Sequence, residues 1–63
     1  MDEQKILAFI ISFLGEKGFP PSQRDIADRF NIHFTGVKAH LETLEKSGSI
    51  ELISGVSRGI KVL

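Results

Sequence analysis

Thr35 and Lys38, two side chains that can hydrogen-bond to nucleic-acid bases, lie three residues apart. Lysine can donate to O6 or N7 of guanine, while the hydroxyl and methyl groups of threonine suit a phosphate or a thymine. Residues three apart lie on the same face of a helix, so this spacing predicts a polar helix face directed at a nucleic acid. The alternative interpretation is a helix face exposed only to solvent.

The residues around this pair are mostly small. Gly36 and Ala39 allow the helix backbone to approach another surface closely. Phe34 lies between the inward and outward sides of the helix, so it either contacts a thymine methyl group or is buried in the preceding turn. The candidate base contacts are therefore Phe34, Thr35, Gly36, Lys38, Ala39 and Glu42.

Phosphate contacts are predicted at the start of the preceding helix, which opens with Ser22, Gln23 and Arg24. The free N–H groups and the positive end of the helix dipole attract an anion there, and the arginine adds a full charge. Ordinary helix capping is the alternative interpretation, and the two roles are compatible.

A turn late in the sequence supplies a second group of phosphate candidates. Arg58 either reaches a phosphate or the minor groove, or forms an ion pair with Glu51 across two strands. The turn residues Ser54, Gly55 and Ser57 can add backbone donors, although a turn favours these residue types in any case.

A first helix is predicted at residues 4–17, because apolar residues recur there at helical spacing. Gly18 lies where a C-cap glycine would end this helix, and two prolines follow shortly after it. Leu7 and Ile11 make the apolar side of the helix broader than a core face requires. They either pack beneath the hairpin or form a surface for a partner.

Residues 22–41 have the spacing of a helix-turn-helix, in which two short helices meet at a tight turn and the second can enter the major groove. Ser22 and Asp25 predict a capped start for the first of these helices. Ala27 is small where the two helices would cross. Asn31 can adopt the left-handed backbone conformation that the turn needs.

The third helix is predicted at 34–46, beginning at its first or second residue and directing Val37, Leu41 and Leu44 toward the core. Strands are predicted at 49–54 and 58–63, with turn residues between them. This order of elements predicts a mainly α fold with a small β-hairpin, a three-helix winged helix-turn-helix. We expect it to occupy 1–63 as one domain.

The charge balance bears on the nucleic-acid partner. The chain has eight basic and eight acidic residues among 63, so its formal net charge is zero. DNA-binding domains usually carry a basic surplus, because contacts to phosphate supply much of the affinity. Binding to double-stranded DNA, the predicted partner, therefore requires the positive charges to share one face.

The composition argues against catalytic and metal-dependent functions. There is no cysteine, and His33 and His40 lie seven residues apart, so we expect capping or partly buried roles for them and no metal site. The sequence shows no nucleophile–base set, so we expect no enzyme, no cofactor and no small-molecule ligand. The acidic start is unlike a signal peptide, and no apolar run approaches the roughly 20 residues of a membrane span, so a cytoplasmic protein is expected.

Four segments match a known family, and the GFPPS junction and the SRGI run at 57–60 are more specific than a general helix-turn-helix pattern. The four segments are GFPPS at 18–22, RDIA at 24–27, HL at 40–41 and IELISGVSRGIKVL at 50–63. With them, essentially the whole chain resembles the N-terminal DNA-binding domain of the LexA family, the repressors of the bacterial DNA-damage (SOS) response.

The resemblance implies a winged helix-turn-helix that represses transcription. Its recognition helix, 34–46, would lie in the major groove, and its wing, 54–58, would contact the DNA backbone or the minor groove. It also implies a homodimer on a palindromic operator, held together by a C-terminal self-cleaving Ser/Lys peptidase domain. That domain is absent from this sequence, so we expect either a fragment or a free-standing relative without enzymatic activity.

Residues 33–36 depart from the family pattern, because this segment is shorter and lacks the serine and asparagine residues often found there. The resemblance therefore does not imply an operator sequence. A second hypothesis is a winged helix that binds a protein and reads no bases. The zero net charge and the broad apolar side of the first helix favour this alternative.

Overall fold

The computed structural model describes residues 2–63, which form three helices followed by a two-stranded antiparallel hairpin. In chain order the elements are α1 (Glu3–Lys17), α2 (Gln23–Phe30), α3 (Phe34–Lys46), β1 (Ile50–Leu52) and β2 (Ile60–Val62). This order confirms the predicted winged helix-turn-helix, mainly α with a small β-hairpin.

Both strands are shorter than the predicted segments 49–54 and 58–63. The ladder pairs three residues of each strand, with Glu51 opposite Lys61 at its centre. Beyond Leu52 the chain turns twice before it returns. The ladder is therefore shorter than the alternating pattern of apolar residues in the sequence predicted.

The helix ends are set by residues predicted to cap them. Ser22 and Asp25 make both hydrogen bonds of a capping box at the start of α2, which satisfies two N–H groups at this helix end. Asn31 ends α2 in the left-handed conformation, with a φ of 54°, and α3 begins at Phe34. Gly18 ends α1 in the same way, with a φ of 84°.

The two histidines have different surroundings. His33 occupies the N-cap position of α3, but its exposed side chain makes no capping hydrogen bond. A side-chain capping role for His33 is therefore wrong, because an imidazole lacks the compact oxygen with which serine or aspartate caps a helix. His40 is half-buried, as predicted, and its Nδ1 contacts a carboxylate oxygen of Glu3. This contact connects α3 to the first turn of α1.

The core lies where the three helices meet the first residue of each strand. Its buried members are Ile6, Ile10, Ile26, Ala27, Val37, Leu41, Leu44, Ile50 and Ile60. Full burial of one aliphatic side chain of this size stabilises a fold by about 1.5–3 kcal/mol. Because α3 contributes three of these side chains, its inward face is fixed and its outward face is directed away from the core.

Leu7 and Ile11, the two residues that broaden the apolar side of α1, are placed differently. Leu7 is half-buried and packs against the core. Ile11 keeps 50% of its surface exposed, so a partner surface at this position stays a prediction. None of the helices described between residues 2 and 63 has the length and apolar content needed to cross a bilayer.

Candidate nucleic-acid interface

The outward face of α3 carries the predicted base-contact residues. Thr35, Lys38, Ala39 and Glu42 are all exposed there. Phe34 is also 51% exposed, so of its two alternatives burial in the turn is wrong and contact with a thymine methyl group stays a prediction. The reason is that Ile32 packs against the core at this corner and leaves the phenylalanine outside.

Gly36 is half-buried in the first turn of α3. A Cβ atom at this position would lie 3.9 Å from Cδ1 of Ile32, which is an ordinary contact distance. Internal contacts therefore do not demand a glycine here. The prediction that Gly36 allows the helix backbone to approach a ligand closely therefore stays a prediction.

One groove brings together predicted residues from three parts of the fold. It has a volume of about 310 Å³. Gln23 from the start of α2 and Lys38 from α3 line it, together with Ser54, Gly55 and Ser57 of the wing. The remaining lining, which the sequence did not indicate, consists of Leu52, Ile53, Val56, Gly59 and Ile60. The groove therefore combines polar groups from α2, α3 and the wing with apolar residues of the hairpin.

The start of α2 presents hydrogen-bond donors beside this groove. Asp25 N–H donates to Oγ of Ser22 at 3.1 Å, and Ser22 N–H donates to Oδ2 of Asp25 at 3.0 Å. Within residues 2–63, the backbone N–H groups of Gln23 and Arg24 donate to no acceptor. These two N–H groups and the exposed Arg24 side chain can donate hydrogen bonds to an anion.

Arg58 does not form the ion pair with Glu51 that was the alternative to a DNA contact. Its Nη1 donates to Oδ2 of Asp25 and to the carbonyl oxygen of Pro20, each at 2.9 Å. This alternative is wrong because Arg58 lies beyond the last ladder pair, whereas Glu51 stays in the ladder opposite Lys61. Arg58 therefore connects the wing to the start of α2.

Hydrogen bonding and charge lower the pKa of Asp25 from its ordinary value. The backbone N–H of Ser22 makes the largest contribution, by donating to the carboxylate. Partial burial opposes this effect, and the Arg58 guanidinium lowers the pKa further. Asp25 is therefore held as a carboxylate, which neutralises much of the Arg58 charge.

Two cations at the site keep their charge available. Among the residues that the structure describes, Arg24 and Lys38 take part in no ion pair. Glu42 lies on the same exposed face of α3, four residues after Lys38. Among the predicted contact residues, Arg24 and Lys38 thus carry unpaired positive charge, and Asp25 offsets the charge of Arg58.

Sequence reasoning missed the second role of Asp25. Its place three residues after Ser22 identified it as a capping residue, which is correct. Nothing local indicated a partner 33 residues away in the wing. The link between Glu45 and the backbone of Leu52 was missed for the same reason.

Several known proteins are similar to this chain over most of its length. LexA repressor 1 of Geobacter sulfurreducens is 44% identical over 62 residues, which is 97% of this chain and 31% of the relative. The LexA repressor of Thermotoga petrophila is 45% identical over 60 residues, 95% of this chain and 30% of the relative. The LexA repressor of Leptospira interrogans is 39% identical over 61 residues, 97% of this chain and 30% of the relative.

The similarity is confined to one part of these relatives, because the chain spans about 30% of their length. The family model that describes the LexA DNA binding domain matches residues 2–59. That match includes α1, α2, α3 and β1 and the whole wing. The chain therefore belongs to the LexA DNA-binding domain family.

Proposed function

We propose that residues 1–63 form one DNA-binding domain of a transcriptional repressor, with α3 in the major groove and the wing on the DNA backbone or in the minor groove. The groove where Gln23, Lys38 and the wing meet carries this proposal. Three elements that are distant in sequence present polar groups at one surface, as a reader of bases and phosphates requires. The printed name of the relatives, LexA repressor, supports the same function.

In this proposal α3 supplies the base contacts. Lys38 lines the groove and, within residues 2–63, forms no ion pair, so its ammonium group is available to donate to guanine. Thr35 lies on the same exposed face. The proposed base-contacting set is Phe34, Thr35, Gly36, Lys38, Ala39 and Glu42.

The start of α2 and the wing supply the phosphate contacts. The backbone N–H groups of Gln23 and Arg24, at the start of α2, have no hydrogen-bond acceptor in the described chain. Phosphate oxygens are suitable acceptors for them. The full proposed set is Ser22, Gln23, Arg24, Ser54, Gly55, Ser57 and Arg58. These contacts fix the orientation of α3 on the duplex and add no base preference of their own.

We further propose that two copies bind a two-fold symmetric operator and repress transcription by occupying a promoter. α3 has 13 residues and is therefore about 20 Å long, so one copy reads a single segment of the major groove. Two copies on adjacent half-sites would double the sequence that is read. Dimerisation through a further domain, a response to DNA damage and a cytoplasmic location belong to this proposal, and residues 1–63 have no catalytic role in it.

A winged helix that binds only a protein is the second hypothesis, and family membership does not favour it. The two hypotheses differ in their response to salt. A DNA complex loses affinity steeply as salt rises, because bound counterions are released from the duplex. An apolar protein contact responds little to the same change.

The decisive experiment is selection of bound duplexes from a random pool, followed by affinity measurement over a range of salt concentrations. We expect enrichment of a two-fold symmetric motif and a linear fall of log affinity with log salt. Recovery of unrelated sequences with no shared motif would contradict base readout. Absence of any duplex binding at low salt would overturn the proposed function as a whole.

A further inference from the structure

The carboxylate of Asp25 joins two parts of the fold that are distant in sequence. Its Oδ2 accepts a hydrogen bond from the backbone N–H of Ser22 at 3.0 Å, and another from Nη1 of Arg58 at 2.9 Å. The first bond belongs to the capping box that starts α2. The second reaches the wing, 33 residues later in the chain. One oxygen atom therefore sets the position of the wing relative to the start of α2.

Arg58 is held on two further sides. Its Nη1 also donates to the carbonyl oxygen of Pro20 at 2.9 Å. Its guanidinium carbon lies 4.7 Å from the ring centre of Phe19, a distance at which a cation and an aromatic ring attract. The side chain remains 40% exposed, and its Nε and Nη2 donate to no acceptor within residues 2–63. The wing thus presents an arginine whose conformation is fixed before any ligand binds.

Within residues 2–63, the hydrogen bonds that join wing residues 54–58 to the helical part of the fold are those of Arg58. The core ends at Ile60 on the hairpin side, and every wing residue from 54 to 58 is exposed. The bonds that flank the wing, Ile53 N–H to the Gly59 carbonyl at 2.8 Å and Gly59 N–H to the Val56 carbonyl at 3.2 Å, lie within the hairpin itself. The hydrogen bond from Arg58 to Asp25 therefore connects the wing to the start of α2.

We propose that Asp25 is a positioning residue for DNA binding: through Arg58 it holds the wing at a fixed spacing from the start of α2, so that both reach the DNA backbone together. This inference rests on the proposed function. Asp25 itself contacts no DNA in it. A side chain that is ordered before binding loses less conformational entropy in the complex, so the gain appears as affinity for all duplexes alike.

The direction in which one substitution changes the DNA affinity distinguishes a positioning role of Asp25 from simple electrostatic repulsion of the phosphates. Removing a carboxylate near DNA ordinarily strengthens binding, because it reduces repulsion of the phosphates. We expect Asp25→Asn to weaken binding instead. Asp28→Asn is the matched control, because Asp28 is exposed on the same helix and forms no ion pair in the described part of the chain, and its affinity should be unchanged or slightly higher. A tighter complex of Asp25→Asn would overturn the proposal.

A double-mutant cycle tests whether Asp25 acts through Arg58. Asp25→Asn should lower the affinity for the preferred duplex about fivefold, the upper range for one exposed ion pair. Combined with Arg58→Gln, it should lower the affinity no further, because the partner is already absent. Equal losses in both backgrounds would show that Asp25 acts independently and would overturn the proposal.

A second pair of variants distinguishes loss of the ion pair from loss of folding. Glutamate and glutamine both suit this position of a capping box, so Asp25→Glu and Asp25→Gln should both fold. We expect Asp25→Glu to retain most of the affinity that Asp25→Gln loses, because only glutamate keeps the negative charge that forms an ion pair with Arg58. Equal affinities of the two variants would contradict the positioning role.

Amide hydrogen exchange separates this inference from the proposed function. In Asp25→Gln, the N–H groups of Ile53 and Gly59, which flank the wing, should exchange faster, while that of Ile26 in α2 should not. Unchanged exchange at Ile53 and Gly59 would overturn the positioning role whatever the protein binds. If the original chain binds no duplex but these N–H groups still exchange faster in Asp25→Gln, the proposed function is overturned. Asp25 would then still hold the wing in place.

Discussion

The carboxylate of Glu45 on α3 accepts a hydrogen bond from the backbone N–H of Leu52 on β1, at 3.0 Å. Leu52 is the last residue of β1, opposite Ile60 in the ladder. The bond therefore joins the hairpin to α3 at the point where the chain leaves the ladder toward the wing. Leu44 and Ile50, buried in the same core, join these two elements on their inner side.

Glu45→Ala should loosen this attachment. The variant loses one solvent-exposed hydrogen bond, and the Leu52 N–H can then donate to water. The free energy of unfolding should therefore fall by about 0.5–1.5 kcal/mol. Chemical denaturation of the isolated chain measures the change. Glu42→Ala is the control, because Glu42 is an exposed glutamate of α3, and equal losses in both variants would show that the bond contributes nothing.

Lys38→Ala should relax the base preference of the domain. Lys38 is the cation of α3 that lines the groove, and loss of a base-edge contact reduces binding by about 1–3 kcal/mol, mainly for the preferred sequence. Affinities for the selected motif and for duplexes changed at single positions measure the effect. Lys5→Ala is the control, because Lys5 is exposed on α1 and lines a different depression. Unchanged affinity of Lys38→Ala for the motif would remove Lys38 from the site.

Arg24→Ala should weaken binding to every duplex by a similar factor. Arg24 is exposed at the start of α2, where an arginine contacts phosphate and not base edges. The slope of log affinity against log salt should become less steep by about one unit. A loss confined to the preferred motif, with the salt slope unchanged, would assign Arg24 to base readout.

Local features were predictable from the sequence, because the physical cause lies within a few residues. The capping pair Ser22 and Asp25, the left-handed Asn31 and the inward residues of α3 depend on the chain only three or four residues away. The same holds for the exposed face of α3. The fold class followed from the order of these elements, and the structure confirms it.

The contacts of the wing were not predictable in this way. Arg58 had a carboxylate candidate in the opposite strand, Glu51, but its actual partner is Asp25. Which one it meets depends on how the turn leaves the ladder, and no local pattern encodes that. Phe34 illustrates the same limit, because its exposure depends on Ile32 packing at the corner. The DNA contacts themselves stay predictions.

Gly59→Ala should distort the hairpin beside the wing. A Cβ atom at this position would lie 2.3 Å from the carbonyl oxygen of Ile53 and 3.0 Å from that of Val56, so the backbone must move. We expect lower stability and weaker DNA binding, measured by thermal unfolding and duplex affinity. Gly15→Ala in α1 is the matched control, since a Cβ there meets nothing within 4 Å. It should stabilise the helix by up to about 1 kcal/mol, and similar behaviour of the two variants would contradict the clash at Gly59.

Acidification should remove the stability that Asp25 contributes. The pKa of Asp25 is lowered in the folded chain, first by the Ser22 N–H and then, against partial burial, by Arg58. A carboxyl group of this kind stabilises the fold fully above the ordinary aspartate pKa, about 3.9. That contribution disappears as the pH falls through the lower pKa of the folded state.

Chemical denaturation from about pH 6 into this acid range measures the effect in the original chain and in Asp25→Asn. The difference in free energy of unfolding between the two should shrink as the pH falls. Arg58→Gln should keep most of the original pH dependence, because the Ser22 N–H, the largest cause of the lowered pKa, remains in place. If Arg58→Gln behaved like Asp25→Asn instead, the ion pair and not the capping box would govern this titration.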